Sequence, residues 1–139
     1  MPSVKVSELF KLGFEDWYDL YVDFHAYKVG GIQPKTFGRD APLEDKFQLY
    51  HIHLAMSQPV MLRWASIDEP FRRTHRVDDP ESDYWLIYAY DEYLDEYLML
   101  RLMGPGAHNR KGWGSLLRNI VSEIVEPWSL GRVTYDEPD

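Results

Sequence analysis

Apolar residues recur along this chain in two rhythms, and the rhythms mark out its elements. Trp17, Leu20, Tyr21, Phe24 and Tyr27 return at three- and four-residue spacing, which is one face of a helix. Glu15 and Asp16 stand in its first turn, where the helix dipole favours acids, and Gly30-Gly31 closes it. The spacing predicts a helix over about 14–29. The segment FQLYHIHLA (47–55) alternates instead. Leu49, His51 and His53 fall on one face of a strand, and Tyr50, Ile52 and Leu54 on the other. DYWLIYAYDEYLDEYLMLRLM (83–103) alternates on both sides of an acidic turn at Tyr93-Leu94 and reads as a hairpin. A turn centred there pairs Tyr90 with Tyr97, Tyr88 with Met99 and Leu86 with Arg101. Trp85, Ile87, Ala89, Leu98, Leu100 and Leu102 then form an apolar face. Arg101 falls on the opposite, aromatic face with Tyr84, Tyr88 and Tyr90.

Weaker patterns fill in the rest. SVKVSELFKL (3–12) reads as an edge strand and VMLRWA (60–65) as a short strand. SLLRNIVSEIVEPW (115–128) carries a helical stripe of Leu116, Leu117, Ile120, Val121 and Ile124, with Pro127 as its stop. IQPKTFGRDAPLED (32–45) and GPGAHNRKGWG (104–114) read as loops, and 67–82 as a charged connector with a short helical turn. The tail from about 129 is polar and expected to fray. These elements predict an α+β fold, a small antiparallel sheet of about four strands packed by an N-terminal and a C-terminal helix.

The 139 residues suit one domain spanning 1–139. An apolar content of 45% marks it as globular. The absence of cysteine excludes disulfides, thiolate nucleophiles and Cys-based metal sites. The N-terminus lacks the basic and apolar regions of a secretory signal, and no apolar run approaches the roughly 20 residues of a membrane span. A cytoplasmic protein without a membrane partner is expected. The net charge of −8 opposes nucleic-acid binding in general. It is unevenly spread, however. Residues 77–99 hold eight acids and no Lys or Arg, while 51–76 sum to +2 and 100–118 to +4. Two basic islands therefore flank an acidic block, and a local basic face survives the average.

One stretch carries a resemblance. DFHAYKVGGIQPKTFGRDA followed by HIHLA resembles the YafO-type toxins of bacterial type II toxin–antitoxin systems. The shared pattern is Asp23-Phe24, Tyr27-Lys28, Gly31, Pro34, Phe37 to Ala41, and His51 to Ala55. The hairpin and the PGAH at 105–108 continue it in the same order. The resemblance implies a compact RelE/ParE-like sheet and an mRNA interferase that acts with the ribosome on mRNA. It also implies a cognate antitoxin that holds the toxin off.

RNA cleavage by attack of the 2′-hydroxyl needs a base, an acid and cations on the phosphate oxygens, with no metal or other cofactor. Histidine suits the proton transfers and arginine the phosphate. His51, His53, His75 and His108 are the acid–base candidates. Arg39, Arg72, Arg73, Arg76, Arg101, Arg110 and Lys111 are the phosphate candidates. Each has a plainer reading. His51 and His53 can be half-buried strand residues, or the first two ligands of a zinc site that lacks an obvious third. Arg72, Arg73, His75 and Arg76 can be a solvated connector, and His108 to Lys111 a surface loop. Arg39 and Asp40 can brace a turn. Tyr88, Tyr90 and Arg101 can form a second core layer. Two rival functions also stand: a non-enzymatic binder of a protein target such as a topoisomerase, and an inactive family member that binds only its antitoxin.

Overall fold

The computed structural model describes residues 2–43, 48–109 and 112–139. It has an α+β fold built on a five-stranded sheet. In chain order come β1 (Ser3–Val6), α1 (Glu8–Gly13), α2 (Trp17–Lys28), β2 (Phe37–Pro42), β3 (Tyr50–Leu54), α3 (Gln58–Ala65), β4 (Tyr84–Asp91) and β5 (Glu96–Met103). A C-terminal helical rod follows as α4 (Trp113–Ile120), a π-helical stretch (Val121–Val125) and α5 (Glu126–Ser129). The strand order is β1-β5-β4-β3-β2. All neighbours are antiparallel except β1, which runs parallel to β5. Among the described residues no helix is long and apolar enough to cross a membrane.

The alternation read from the sequence sorts side chains onto two faces, each with its own helical cover. On one face Leu49, Trp85, Ile87, Ala89 and Leu98 meet Leu117, Ile120, Val125 and Trp128 of the C-terminal rod. On the other, Ile52, Leu54, Leu86, Tyr88 and Met99 meet Phe10 of α1 and Leu20, Tyr21 and Phe24 of α2. Tyr88, a candidate for stacking RNA, is thus a core residue beneath α2, with its ring 5.1 Å from that of Phe24.

Several expectations are corrected. Residues 60–65 are helical, not extended. Ser57 and Pro59 sit at a helix start, where proline's fixed φ and missing N–H are tolerated. FGRDA is not a loop but most of β2, paired with β3. The second half of 3–12 is α1, capped by the Ser7 hydroxyl, which accepts from the Phe10 N–H at 3.2 Å. The rod passes Pro127 and ends at Ser129. The proline cannot donate to the fourth carbonyl before it, and the preceding stretch adopts the wider π spacing. The tail is docked. Tyr135 packs on the rod-side core, and the Lys5 ammonium donates to its carbonyl at 2.8 Å.

One correction changes the site. The hairpin pairs Tyr90 with Tyr97 and Tyr88 with Met99 as expected, but then slips, so that Ile87 faces Arg101 and Leu86 faces Leu102. Leu100 is the extra residue of a β-bulge. Arg101 therefore leaves the aromatic face and joins the rod-side row Ala41, His51, Ile87.

Candidate active site

Four histidines from three separate stretches converge above Trp85. His51 and His53 come from β3, where period two puts both on the rod-side face. His51 is held by its Nδ1–H, which donates to the Ala41 carbonyl at 2.8 Å. Its ring meets Trp85 edge-on at 4.6 Å. His53 lies 5.3 Å from His51, 6.0 Å from His75 and 5.4 Å from His108, centroid to centroid. It is only 3% exposed.

His75 is carried by a connector with little regular structure, yet the connector is tightly pinned. The Arg39 N–H donates to the Arg73 carbonyl at 3.1 Å, which attaches the connector to the free edge of β2. Gly38 permits the approach, since a Cβ there would lie 2.1 Å from that carbonyl oxygen. Arg73 spends its Nε on the Ile67 carbonyl at 2.9 Å. The Thr74 carbonyl accepts from Arg63 Nη2 at 2.9 Å and from the Trp64 indole at 3.3 Å. Past His75, the Arg76 N–H donates to the Ser82 hydroxyl at 2.9 Å. So α3, β2 and the turn before β4 together fix one imidazole.

His108 sits in the loop after β5. Gly104, at φ +138, starts that loop; a Cβ there would lie 2.5 Å from the Tyr84 ring and 2.8 Å from the Asp83 carbonyl. The Ala107 N–H then donates to the Asp83 carbonyl at 3.0 Å. The Asp83 side chain completes the clamp. Its Oδ2 accepts the His108 backbone N–H at 2.6 Å, and its Oδ1 accepts the ring Nδ1–H at 2.8 Å. Asp83 is buried while the His108 side chain is 37% exposed. This is a carboxylate–histidine pair: the acid fixes the tautomer, turns Nε2 outward and stabilises an imidazolium.

The His75 and His108 rings stack at 3.6 Å, only 19° from parallel. Burial first, and then the His108 charge, push His75 below its ordinary value, with Asp83 opposing. His53 is driven down to about 3 by burial, followed by its neighbours His51, His108 and His75 and then Arg39. Nδ1 of both His53 and His75 lacks a hydrogen-bond partner among the described residues. Two imidazoles are therefore kept neutral beside a third that has its own counter-ion.

His75, Asp83 and His108 also bring one donor atom each within 4.8 Å of the others, as a metal site would. But both Asp83 oxygens are already engaged by His108, and two near-parallel rings direct their lone pairs side by side rather than to a common point. The set is suited to proton transfer.

The cationic candidates separate. Arg39 lies beside the cluster, its guanidinium over the Phe71 ring at 4.2 Å and its Nε on the Phe71 carbonyl at 2.8 Å. Arg76 lines a cleft with Arg63, next to His75. Arg72 is exposed and paired with Glu69 at 3.3 Å, and lines a different cleft. Arg73 braces the connector. Arg101 is two strands from His51, roughly 10 Å at the usual strand spacing, with its Nε buried and without a hydrogen-bond partner among the described residues. Arg110 and Lys111 lie outside the described residues.

Asp40 serves elsewhere. It accepts from the Tyr27 hydroxyl at 2.8 Å, the Lys28 ammonium at 2.7 Å and the Tyr88 hydroxyl at 2.6 Å, on the α2 side of the sheet. Two members of the site escaped the sequence reading. Asp83 was one acid among eight in its block. Arg63 was hidden by reading α3 as a strand, although Ser57 and Pro59 signal a helix start.

The family model described as "Toxin YafO, type II toxin-antitoxin system" matches residues 25–130. No curated protein and no solved structure matches the chain. The matched span contains His51, His53, His75, Asp83 and His108.

Proposed function

This chain belongs to the YafO family of toxins of type II toxin–antitoxin systems, and from that premise we propose that it is a ribosome-dependent endoribonuclease that cleaves mRNA and arrests translation. Its family implies an antitoxin as partner. The observation that carries the nuclease reading is the stacked His75–His108 pair, with Asp83 behind one ring and none behind the other.

The chemistry follows from that asymmetry. His75, kept neutral, takes the proton from the 2′-hydroxyl. The 2′-oxygen attacks phosphorus, the bond to the 5′-oxygen breaks, and His108 donates its proton to the leaving oxygen. Asp83 stabilises the charged form of His108 before transfer. Two rings this close can address the two oxygens that flank one phosphorus. Arg39 offsets the charge on the phosphate. His53 and His51 are too buried to reach RNA and act as positioning residues, packing the pair against Trp85.

The test is induction of the protein in cells followed by primer extension on abundant mRNAs, with and without a block on translation. New 5′ ends that vanish under the block are expected. Growth arrest without new ends would discard the nuclease reading and favour a protein target.

A further inference from the structure

The region around His75 concentrates positive charge in a chain whose acids outnumber its Lys and Arg 23 to 15. Arg63 and Arg76 line a cleft of about 270 Å³ together with Pro59, Val60 and Asp79. Neither guanidinium, nor that of Arg39, makes an ion pair among the described residues. The two arginines are close enough to act on each other. Burial first, and then the Arg76 charge, work against the charge of Arg63, with Asp79 opposing. Like charges are costly to hold together, and the fold does so deliberately. Arg63 is fastened to the Thr74 carbonyl at 2.9 Å, one residue from His75. The backbone of Arg76 is fastened to Ser82. Pro59 and Val60 belong to the first turn of α3, so the positive end of that helix dipole lies on the same side. One carboxylate against two guanidiniums leaves the cleft cationic.

We propose that this cleft is an anion subsite that holds a backbone phosphate of single-stranded RNA, one position away from the phosphate cleaved at His75 and His108. A planar guanidinium fork suits a phosphodiester's two free oxygens. The cleft lies beside the histidine pair rather than over it, so it grips a neighbouring linkage and sets the register of the strand. That RNA is the ligand rests on the nuclease reading; the cationic character of the cleft does not.

The experiment measures binding of a short 2′-O-methyl RNA, which cannot be cleaved, by fluorescence anisotropy over a range of salt. Wild type is compared with Arg63→Gln and Arg76→Gln. Each variant is expected to bind roughly tenfold more weakly and to lower the slope of log affinity on log salt by about 0.7, the loss of one phosphate contact to a single strand. Arg63→Gln also leaves the Thr74 carbonyl with only the Trp64 indole and can shift His75. The Arg76 side chain makes no hydrogen bond among the described residues, so Arg76→Gln decides the matter if Arg63→Gln misfolds. Wild-type affinity and slope in Arg76→Gln would overturn the proposal. So would an Arg76-dependent signal for inorganic phosphate with none for the RNA, which would make the cleft a site for free anions. A protein that binds the RNA through Arg76 but yields no mRNA ends in cells would keep the subsite and discard the nuclease.

Discussion

The sheet carries a charged network on each face, and the two are finished differently. On the α2 side, Asp40 is surrounded by donors from Tyr27, Lys28 and Tyr88. The Lys28 ammonium also sits over the rings of Tyr27, Tyr88 and Tyr97, at 4.8, 4.8 and 5.3 Å. Asp40, Lys28 and the Tyr27 and Tyr88 hydroxyls are thus all partnered within the fold. Burial, and then Asp40, push the Tyr27 and Tyr88 hydroxyls well above the ordinary tyrosine value, so both stay protonated as donors. On the rod side, Asp83 is satisfied by His108, but Nδ1 of His53 and of His75 has no hydrogen-bond partner among the described residues. Buried polar groups left incomplete are costly, and they concentrate where a protein does chemistry. A closed network stabilises; an open one leaves buried groups unsatisfied.

If that contrast is real, mutations should divide cleanly between the faces. The largest effect is expected from His108→Ala, which should lower the rate of appearance of new mRNA ends by about 10²–10⁴-fold, the usual contribution of a general acid or base. Its urea midpoint should fall only modestly, because the buried Asp83 loses the ring but keeps the backbone N–H of residue 108. Asp83→Asn should lose activity in the same direction, because an amide cannot stabilise the imidazolium. Asp40→Ala should do the reverse. It strands the Lys28 ammonium, whose side chain is only 16% exposed, and should cost about 3 kcal/mol in urea unfolding, with cleavage by the folded fraction unchanged. Equal loss of activity from Asp40→Ala and His108→Ala at matched stability would erase the distinction.

Gly104→Ala sharpens it further. The backbone there lies at φ +138, against the Tyr84 ring, so the change should cost about 1–3 kcal/mol. Because the loop carries His108, cleavage should fall as well. Gly31, at φ +68 beyond α2 with open space where a Cβ would stand, provides the control: alanine there should be milder and leave activity intact.

The smallest effect is a pH dependence. The folded chain holds His53 down to about 3 against an ordinary 6.5. Between those values the unfolded chain takes up a proton that the folded one refuses. Stability from this group is therefore complete above 6.5 and falls as the pH drops towards 3. His53→Phe should flatten this part of the profile, seen as a smaller fall in urea midpoint between neutral pH and the middle of that window. An unchanged fall would mean that His53 is not the buried neutral group described.

The parts legible in the sequence were those with a local period. The faces of β3, α2 and the C-terminal rod could be read because every second, third or fourth residue repeats the same environment. The FGRDA strand could not, because Gly38 and Asp40 look like turn residues. Gly38 is instead demanded by contact with Arg73, and Asp40 by donors from α2 and β4. The bulge at Leu100 was equally invisible, and it alone moved Arg101 across the sheet. His51, His53, His75 and His108 could be named as candidates one by one. Their meeting, and the choice of Asp83 among the acids, depends on pairings between distant stretches that no single window contains.

The order in which those stretches occur along the chain has a consequence for synthesis. During translation His51 and His53 emerge first, then His75 and Asp83, and His108 last. The clamp on His108 also needs the loop that leaves β5. A growing chain therefore lacks the stacked His75–His108 pair until residue 108 and its loop have been made. On the proposed nuclease reading, a chain still short of residue 108 cannot cut the message from which it is being made.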